Sequence, residues 1–146
     1  MNKKITNKEA RFDYEILEDF EAGLILKSDE IKAIRSGRVN LKGSYAKIFY
    51  ESSKPAVFLV GSHFFTSSVD PYRTRKLLLH KKEISRLVGK AQEKGLTLIP
   101  LEIYITRGKA KLRLALGRGK KNIDKRETIK RREENRNISR VLKERA

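Results

Sequence analysis

At 146 residues and 16.9 kDa, with 38% hydrophobic residues, the chain is long enough for one folded domain with its own core, and it leaves room for a tail. Its formal charge of +17, from 35 Lys and Arg against 18 Asp and Glu, exceeds what solubility needs and points to a polyanionic partner, with nucleic acid first and an anionic membrane surface as the rival. The lack of cysteine excludes disulfides and thiolate metal sites, His63 and His80 alone do not make a zinc site, and no apolar run is long enough to span a bilayer, so a cytoplasmic protein without metal or other cofactor is expected.

Residues 1–10 are polar and basic without periodicity and are predicted as a flexible N-terminal arm. From Arg11 the pattern changes. Phe12, Tyr14 and Ile16 alternate with charged residues, and Phe20, Ala22, Leu24 and Leu26 continue the alternation, which is the period of a half-buried strand. Gly23 suggests a bulge or sharp bend that would let this strand curl around a barrel. In SDEIKAIRSG, Ser28 is placed to cap a short helix, Asp29 and Glu30 suit its positive end, Ile31 and Ile34 share a face, and Gly37 stops it.

Tyr45 to Tyr50 and Ala56 to Val60 read as a hairpin joined by ESSKP, and residues 62–69 read as a loop. Asp70 to Gly95 is the longest predicted helix: Asp70 caps, Pro71 suits the first position, and Ile84, Leu87, Val88 and Ala91 form an apolar stripe. A break near His80 stays open. Three consecutive leucines, Leu77 to Leu79, cannot all face inward on one helix, so one is expected at the surface. Leu96 to Thr106 and Ala110 to Leu116 form a second strand pair around Arg107-Gly108-Lys109, with Pro100 marking an edge or bulge and Leu112, Leu114 and Leu116 marking a core face. About five strands with helical inserts suggest a mainly β closed barrel such as an OB-fold, spanning residues 11–117. Residues 118–146 carry 12 Lys and Arg against five acids and no aromatic residue, a composition that cannot hold a core.

For a polyanionic partner, Arg73, Arg75 and Lys76 at the opening of the predicted helix are the leading phosphate contacts on the barrel; for any single Lys a solvated side chain is the better explanation, and the cluster as a whole is what departs from it. Tyr14, Tyr45 and Tyr72 could stack on bases, but the first two read as core or barrel-edge residues. Asp13, Glu15, Glu18, Asp19 and Glu21 could suggest a Mg²⁺ nuclease; alternation sends these carboxylates to different faces of a strand, and no enzyme is expected.

Four segments, EAGLIL (Glu21 to Leu26), DPYRTRKLLLHKKEI (Asp70 to Ile84), GKAQEKGLTLIPL (Gly89 to Leu101) and GRGKKNIDKR (Gly117 to Arg126), resemble in order the SsrA-binding protein family, small protein B of bacteria. The resemblance implies a monomeric OB-fold barrel that binds transfer-messenger RNA (tmRNA). It also implies a basic tail, disordered when free and helical when bound, that enters the decoding centre and mRNA channel of a stalled ribosome against ribosomal RNA, in place of an anticodon arm, for trans-translation. Asn7, Lys8, Glu21 and Leu78 are implied as important for the RNA complex. A carboxylate such as Glu21 accepts hydrogen bonds from base amino groups or 2′-hydroxyls, or orients an arginine, while a plain surface acid is the alternative. Gly119, Lys120, Lys121, Asp124, Lys125 and Arg126 fit an arm laid along RNA, and Val141 and Leu142, with Ile138, give a narrow apolar edge to a bound helix. Two departures from the family are visible. The loop before Asp70 is shorter than is common in it, and Ile123 stands where an aromatic residue or histidine is frequent, so base stacking is not carried over to that position. The remaining rival is an OB-type ribosomal protein or translation factor bound to ribosomal RNA.

Overall fold

The computed structural model describes residues 4–120, so the tail residues Lys121, Asp124, Lys125, Arg126, Val141 and Leu142 lie outside the described residues, as does the expected folding of the tail on binding. The chain enters through β1 (Ile5–Thr6) and α1 (Lys8–Asp13), where an unstructured arm was expected. The correction comes from one polar side chain. The Asn7 amide N–H donates to Leu101 O at 2.8 Å, and its Nδ2 donates to Pro100 O at 3.0 Å and Leu41 O at 3.4 Å. Asn7 therefore satisfies buried carbonyls at an irregular point of β8 (Leu96–Thr106), whose pairing shifts register between Pro100 and Glu102 as Pro100 suggested.

β2 (Tyr14–Leu24) alternates as expected, with Ala22 and Leu24 in the core and Glu21 exposed. Its bulge lies between Ile16 and Glu18, not at Gly23. Gly23 serves a different end: here β2 pairs with both β9 (Lys109–Gly119) and β7 (Arg75–Leu78), and a Cβ at this position would lie 3.3 Å from Leu78 Cβ. α2 (Ser28–Arg35) forms as predicted, but its cap is Lys27 rather than Ser28, because the Glu30 carboxylate turns back to accept the Lys27 N–H at 2.9 Å. The hairpin of β4 (Tyr45–Glu51) and β5 (Lys54–Val60) turns through Ser52 and Ser53 at φ 47° and 68°, the left-handed pair that a two-residue turn requires. The segment expected as loop contributes β6 (His63–Phe64), which pairs with β3 (Val39–Asn40).

The largest departure concerns Asp70 to Gly95. The part from Asp70 to His80 is not helical: Asp70 Oδ1 accepts the Tyr72 N–H and Asp70 O accepts the Arg73 N–H, closing a turn around Pro71 before β7 begins. β7 has period two, with Arg75 and Leu77 inward and Lys76 and Leu78 outward. The helix, α3 (Lys81–Ala91), starts after His80, where the Glu83 carboxylate accepts the His80 N–H at 3.1 Å. Leu87 enters the core fully and Ile84 packs against it, so the predicted stripe holds for this part alone.

Antiparallel pairing runs β8-β4-β5-β7-β2-β9 and returns to β8, which closes a barrel of OB-like form with β1 added outside β8. The second predicted strand pair is present as β8 and β9, turning through Arg107 and Gly108 at φ 51° and 75°. Ala22, Leu59, Leu77, Ile103, Leu112, Leu114 and Leu116 fill the interior, and α2 adds Ala33 and Ile34. A smaller cluster of Ala10, Ile99, Leu101 and Ala115 seats α1 on the outside of the β8–β9 pair.

Replacing the predicted helix start is a buried ionic knot. Arg75 and Glu30 are both fully buried; Arg75 Nε donates to Glu30 Oε2, while Arg73 Nη2 reaches Glu30 Oε1 at 2.5 Å. Arg75 Nη1 also donates to Arg73 O at 2.7 Å and Nη2 to Pro71 O at 3.1 Å, and the guanidinium lies 3.9 Å from the Phe64 ring centroid. Burial opposes ionisation of Glu30, but hydrogen bonds from Arg73, the Lys27 amide and Arg75 outweigh it and hold the carboxyl below its ordinary pKa. Such a group stabilises the fold above the pKa it has when unfolded and stops doing so as pH falls through its folded value. Acid unfolding of the wild type should therefore steepen below about pH 4.3, the free glutamate value, and Glu30→Gln should show a flatter acid limb in urea titrations at several pH values. At neutral pH, Glu30→Ala leaves Arg75 buried without its counter-ion and should cost about 3–5 kcal/mol in the same assay.

Candidate nucleic-acid interface

Strand parity decides which charges reach solvent. With Leu112 and Leu114 inward, β9 turns Lys111 and Arg113 outward; β2 presents Asp19, Glu21 and Gly23 on the same side, and β7 presents Lys76 and Leu78. Register then brings Lys111 opposite both Gly23 and Tyr104, and Gly23 opposite Leu78. The result is an open groove lined by Glu21, Gly23, Leu78, His80, Lys109 and Lys111. Leu78 is 52% exposed at its wall, the one of the three leucines that faces out, while Leu77 is in the core and Leu79 is half-buried.

Glu21 is held rather than loose: Tyr104 OH donates to its Oε2. Burial and that hydrogen bond push the Tyr104 phenol above its ordinary pKa. One Glu21 oxygen is thereby occupied and oriented, and the residue lines a groove that Lys109 and Lys111 make basic. Asp19 lies 3.5 Å from Arg113 Nη1, so that arginine is partly neutralised. Such a surface can take phosphates on its lysines, hydrogen-bond donors of bases or riboses on Glu21, and an apolar ring or sugar edge on Leu78.

Four of the residues expected to touch RNA fall elsewhere. Arg75 is corrected: it is fully buried in the Glu30 knot and has no solvent-facing donor to offer a phosphate. Arg73 is about 30% exposed, but its guanidinium is committed to Glu30. Asn7 is buried and spends its side-chain amide on the Leu41 and Pro100 carbonyls, which positions the start of α1. Lys120 donates from its backbone N–H to Asp13 O and from Nζ to Arg11 O, both at 2.9 Å, which fastens the point where the tail leaves the barrel to α1. Lys76 is accessible and pairs with Glu51 at 2.9 Å, a surface ion pair that an incoming phosphate can exchange. Lys8 is exposed on the first turn of α1, and Gly119 ends β9 opposite Tyr14.

Lys109, Lys111 and Tyr104, which line or brace the groove, were not singled out from the sequence. The same Leu112, Leu114, Leu116 alternation that identified the core face also assigned Lys111 to the outer one, so the signal for it was present. Tyr104 carried no such signal, because its partner Glu21 is 83 residues away.

A family model described as SmpB protein matches residues 4–144. The SsrA-binding protein of Syntrophobacter fumaroxidans is 53% identical over 145 residues, covering 95% of this chain and 88% of that protein. That of Acaryochloris marina is 49% identical, covering 94% and 91%. A chain of the solved structure "tmRNA-SmpB: a journey to the center of the bacterial ribosome" superposes with a TM-score of 0.68 at 44% identity, covering 86% of this chain and 94% of that one.

If Tyr104 and Glu21 are joined as described, Glu21→Gln removes a charge beside the phenol and should lower the Tyr104 pKa followed by NMR of the ring carbon. An unchanged titration would mean that the two are apart.

Proposed function

The chain belongs to the SmpB family of SsrA-binding proteins, and on that premise we propose that it binds tmRNA on the barrel and takes it to stalled ribosomes for trans-translation. The observation that carries the barrel half of this reading is the convergence of Lys109 and Lys111 with an oriented Glu21 and an exposed Leu78 in one groove. Lysines at such a wall neutralise phosphates and release counterions, which supplies affinity and makes it depend on salt. Glu21 and Leu78 discriminate: a fixed carboxylate repels bare phosphate and accepts from base amino groups or 2′-hydroxyls, so only a correctly placed RNA surface fits both walls.

The basic tail is the ribosome-directed part of the reading. Gly119 and Lys120 set where it leaves the barrel, beside α1, and Lys121, Asp124, Lys125, Arg126, Val141 and Leu142 are proposed to meet ribosomal RNA at the decoding centre and in the mRNA channel. On this reading the protein acts as an RNA-binding factor in the cytoplasm, where ribosomes translate. Among the described residues no group of three or more His, Cys, Asp or Glu is arranged to hold a metal, and no helix there is long and apolar enough to cross a membrane.

Two measurements test this. In filter-binding titrations across salt concentrations, Lys111→Ala should weaken tmRNA binding and lower the slope of log K against log salt by about 1. Truncation after Lys120, which keeps the bond to Asp13 O, should preserve tmRNA binding and abolish peptide tagging on stalled ribosomes; a truncated chain that still supports tagging refutes the division between barrel and tail.

A further inference from the structure

A second surface, at the other end of β7 from the groove, carries an arrangement that the core does not need. His63 and Phe65 flank the buried Phe64 on and just past β6, so alternation turns both outward. The Phe64 N–H donates to Pro71 O, which brings Tyr72 alongside. The His63 ring lies between the other two, with centroids 4.3 Å from Phe65 and 4.7 Å from Tyr72 at interplanar angles of 77° and 65°. Phe65 and Tyr72 are nevertheless 58% and 61% exposed. Across the ribbon, Val39 is buried and its neighbour Arg38 is exposed, with Arg38 O accepting the Phe65 N–H at 3.0 Å. Two exposed rings, each braced by the half-buried His63, therefore face solvent, with the exposed Arg38 opposite Phe65 across the ribbon.

We propose that His63, Phe65 and Tyr72, with Arg38, form a stacking platform for an unpaired base of the RNA that occupies the Glu21–Leu78 groove. The proposal rests on the tmRNA reading above and adds a contact to it. Edge-to-face packing fixes the ring orientations in advance, so a base that stacks there orders little that is not already ordered. The partner's chemistry follows from charge and position. The chain is strongly cationic, Arg38 stands at the patch, and Lys76 and Leu78 point outward along the strand that links Tyr72 to the groove. Tyr72 lies in the turn just before β7 and Leu78 ends that strand, so the two are at most about 20 Å apart at roughly 3.3 Å per residue, a span that a short single-stranded segment of the same RNA can cover. A π-face is required by stacking, whereas an apolar peptide would be served equally well by any bulky side chain.

That difference provides the test. In the full-length chain, Phe65→Leu combined with Tyr72→Leu keeps apolar bulk and removes both exposed π-faces, and it should weaken binding to a tmRNA transcript roughly tenfold. Phe65→Tyr combined with Tyr72→Phe keeps the rings and should bind like the wild type. Ultraviolet irradiation of the wild-type complex, read by mass spectrometry, should cross-link a base to Phe65 or Tyr72. A leucine variant that binds as tightly as the wild type, or cross-links confined to other residues, overturns the platform alone. A wild-type chain with no affinity for the transcript overturns the underlying tmRNA reading, and the platform with it.

Discussion

The buried pairing of Arg75 with Glu30 is the constraint on which the arrangement of the barrel wall depends. It joins the start of α2 to the turn before β7, and through Arg73 O and Pro71 O the same guanidinium holds the backbone of that turn. A buried ion pair adds little by itself to stability compared with an apolar pair of equal volume; what it adds is directionality, since a planar fork with several fixed acceptors admits one seating. With Arg75 turned inward, alternation obliges Lys76 and Leu78 to face out, and Leu78 then meets Gly23 at the groove. The knot thus lies on the far side of the wall from the surface it organises.

Much of this was legible from the residues. The two strand pairs, the short helix from Ser28, the irregularity at Pro100 and the stripe through Ile84, Leu87 and Val88, which ends before the exposed Ala91, each rest on local periodicity or turn chemistry, and local signals survive folding. The strand at Arg75 to Leu78 did not read correctly. Asp70-Pro71 is an equally good start for a turn and for a helix, and what separates the two outcomes is the pairing of Arg75 with an acid 45 residues before it in sequence. Asn7 failed for the same reason: its acceptors lie 34 and 93 residues distant, so a polar, aperiodic segment concealed a fastening point.

The same limit governed the candidate site. Composition counts Arg75 and Lys111 as equivalent cations, yet burial converts one into a structural strut and leaves the other at the groove. Family resemblance singled out Glu21 and Leu78 separately; the register of β2 against β7 joins them, since Gly23 pairs with Leu78 and Glu21 stands two residues along β2 on the same face, so both line a single depression. Lys120 shows that tail and barrel are not independent units at their junction, because α1 takes both hydrogen bonds from that residue.

The long antiparallel seam between β2 and β9 pairs Tyr14 with Gly119 and Gly23 with Lys111, so the earliest long strand is matched to the last one. A nascent chain cannot complete this cylinder while β9 is still inside the exit tunnel. Until then β2 carries an open flank with unsatisfied main-chain groups, the kind of edge that recruits unintended partners. The barrel is thus finished only once β9 has left the tunnel, and interrupted translation upstream of Lys109 would release a fragment lacking its closing strand.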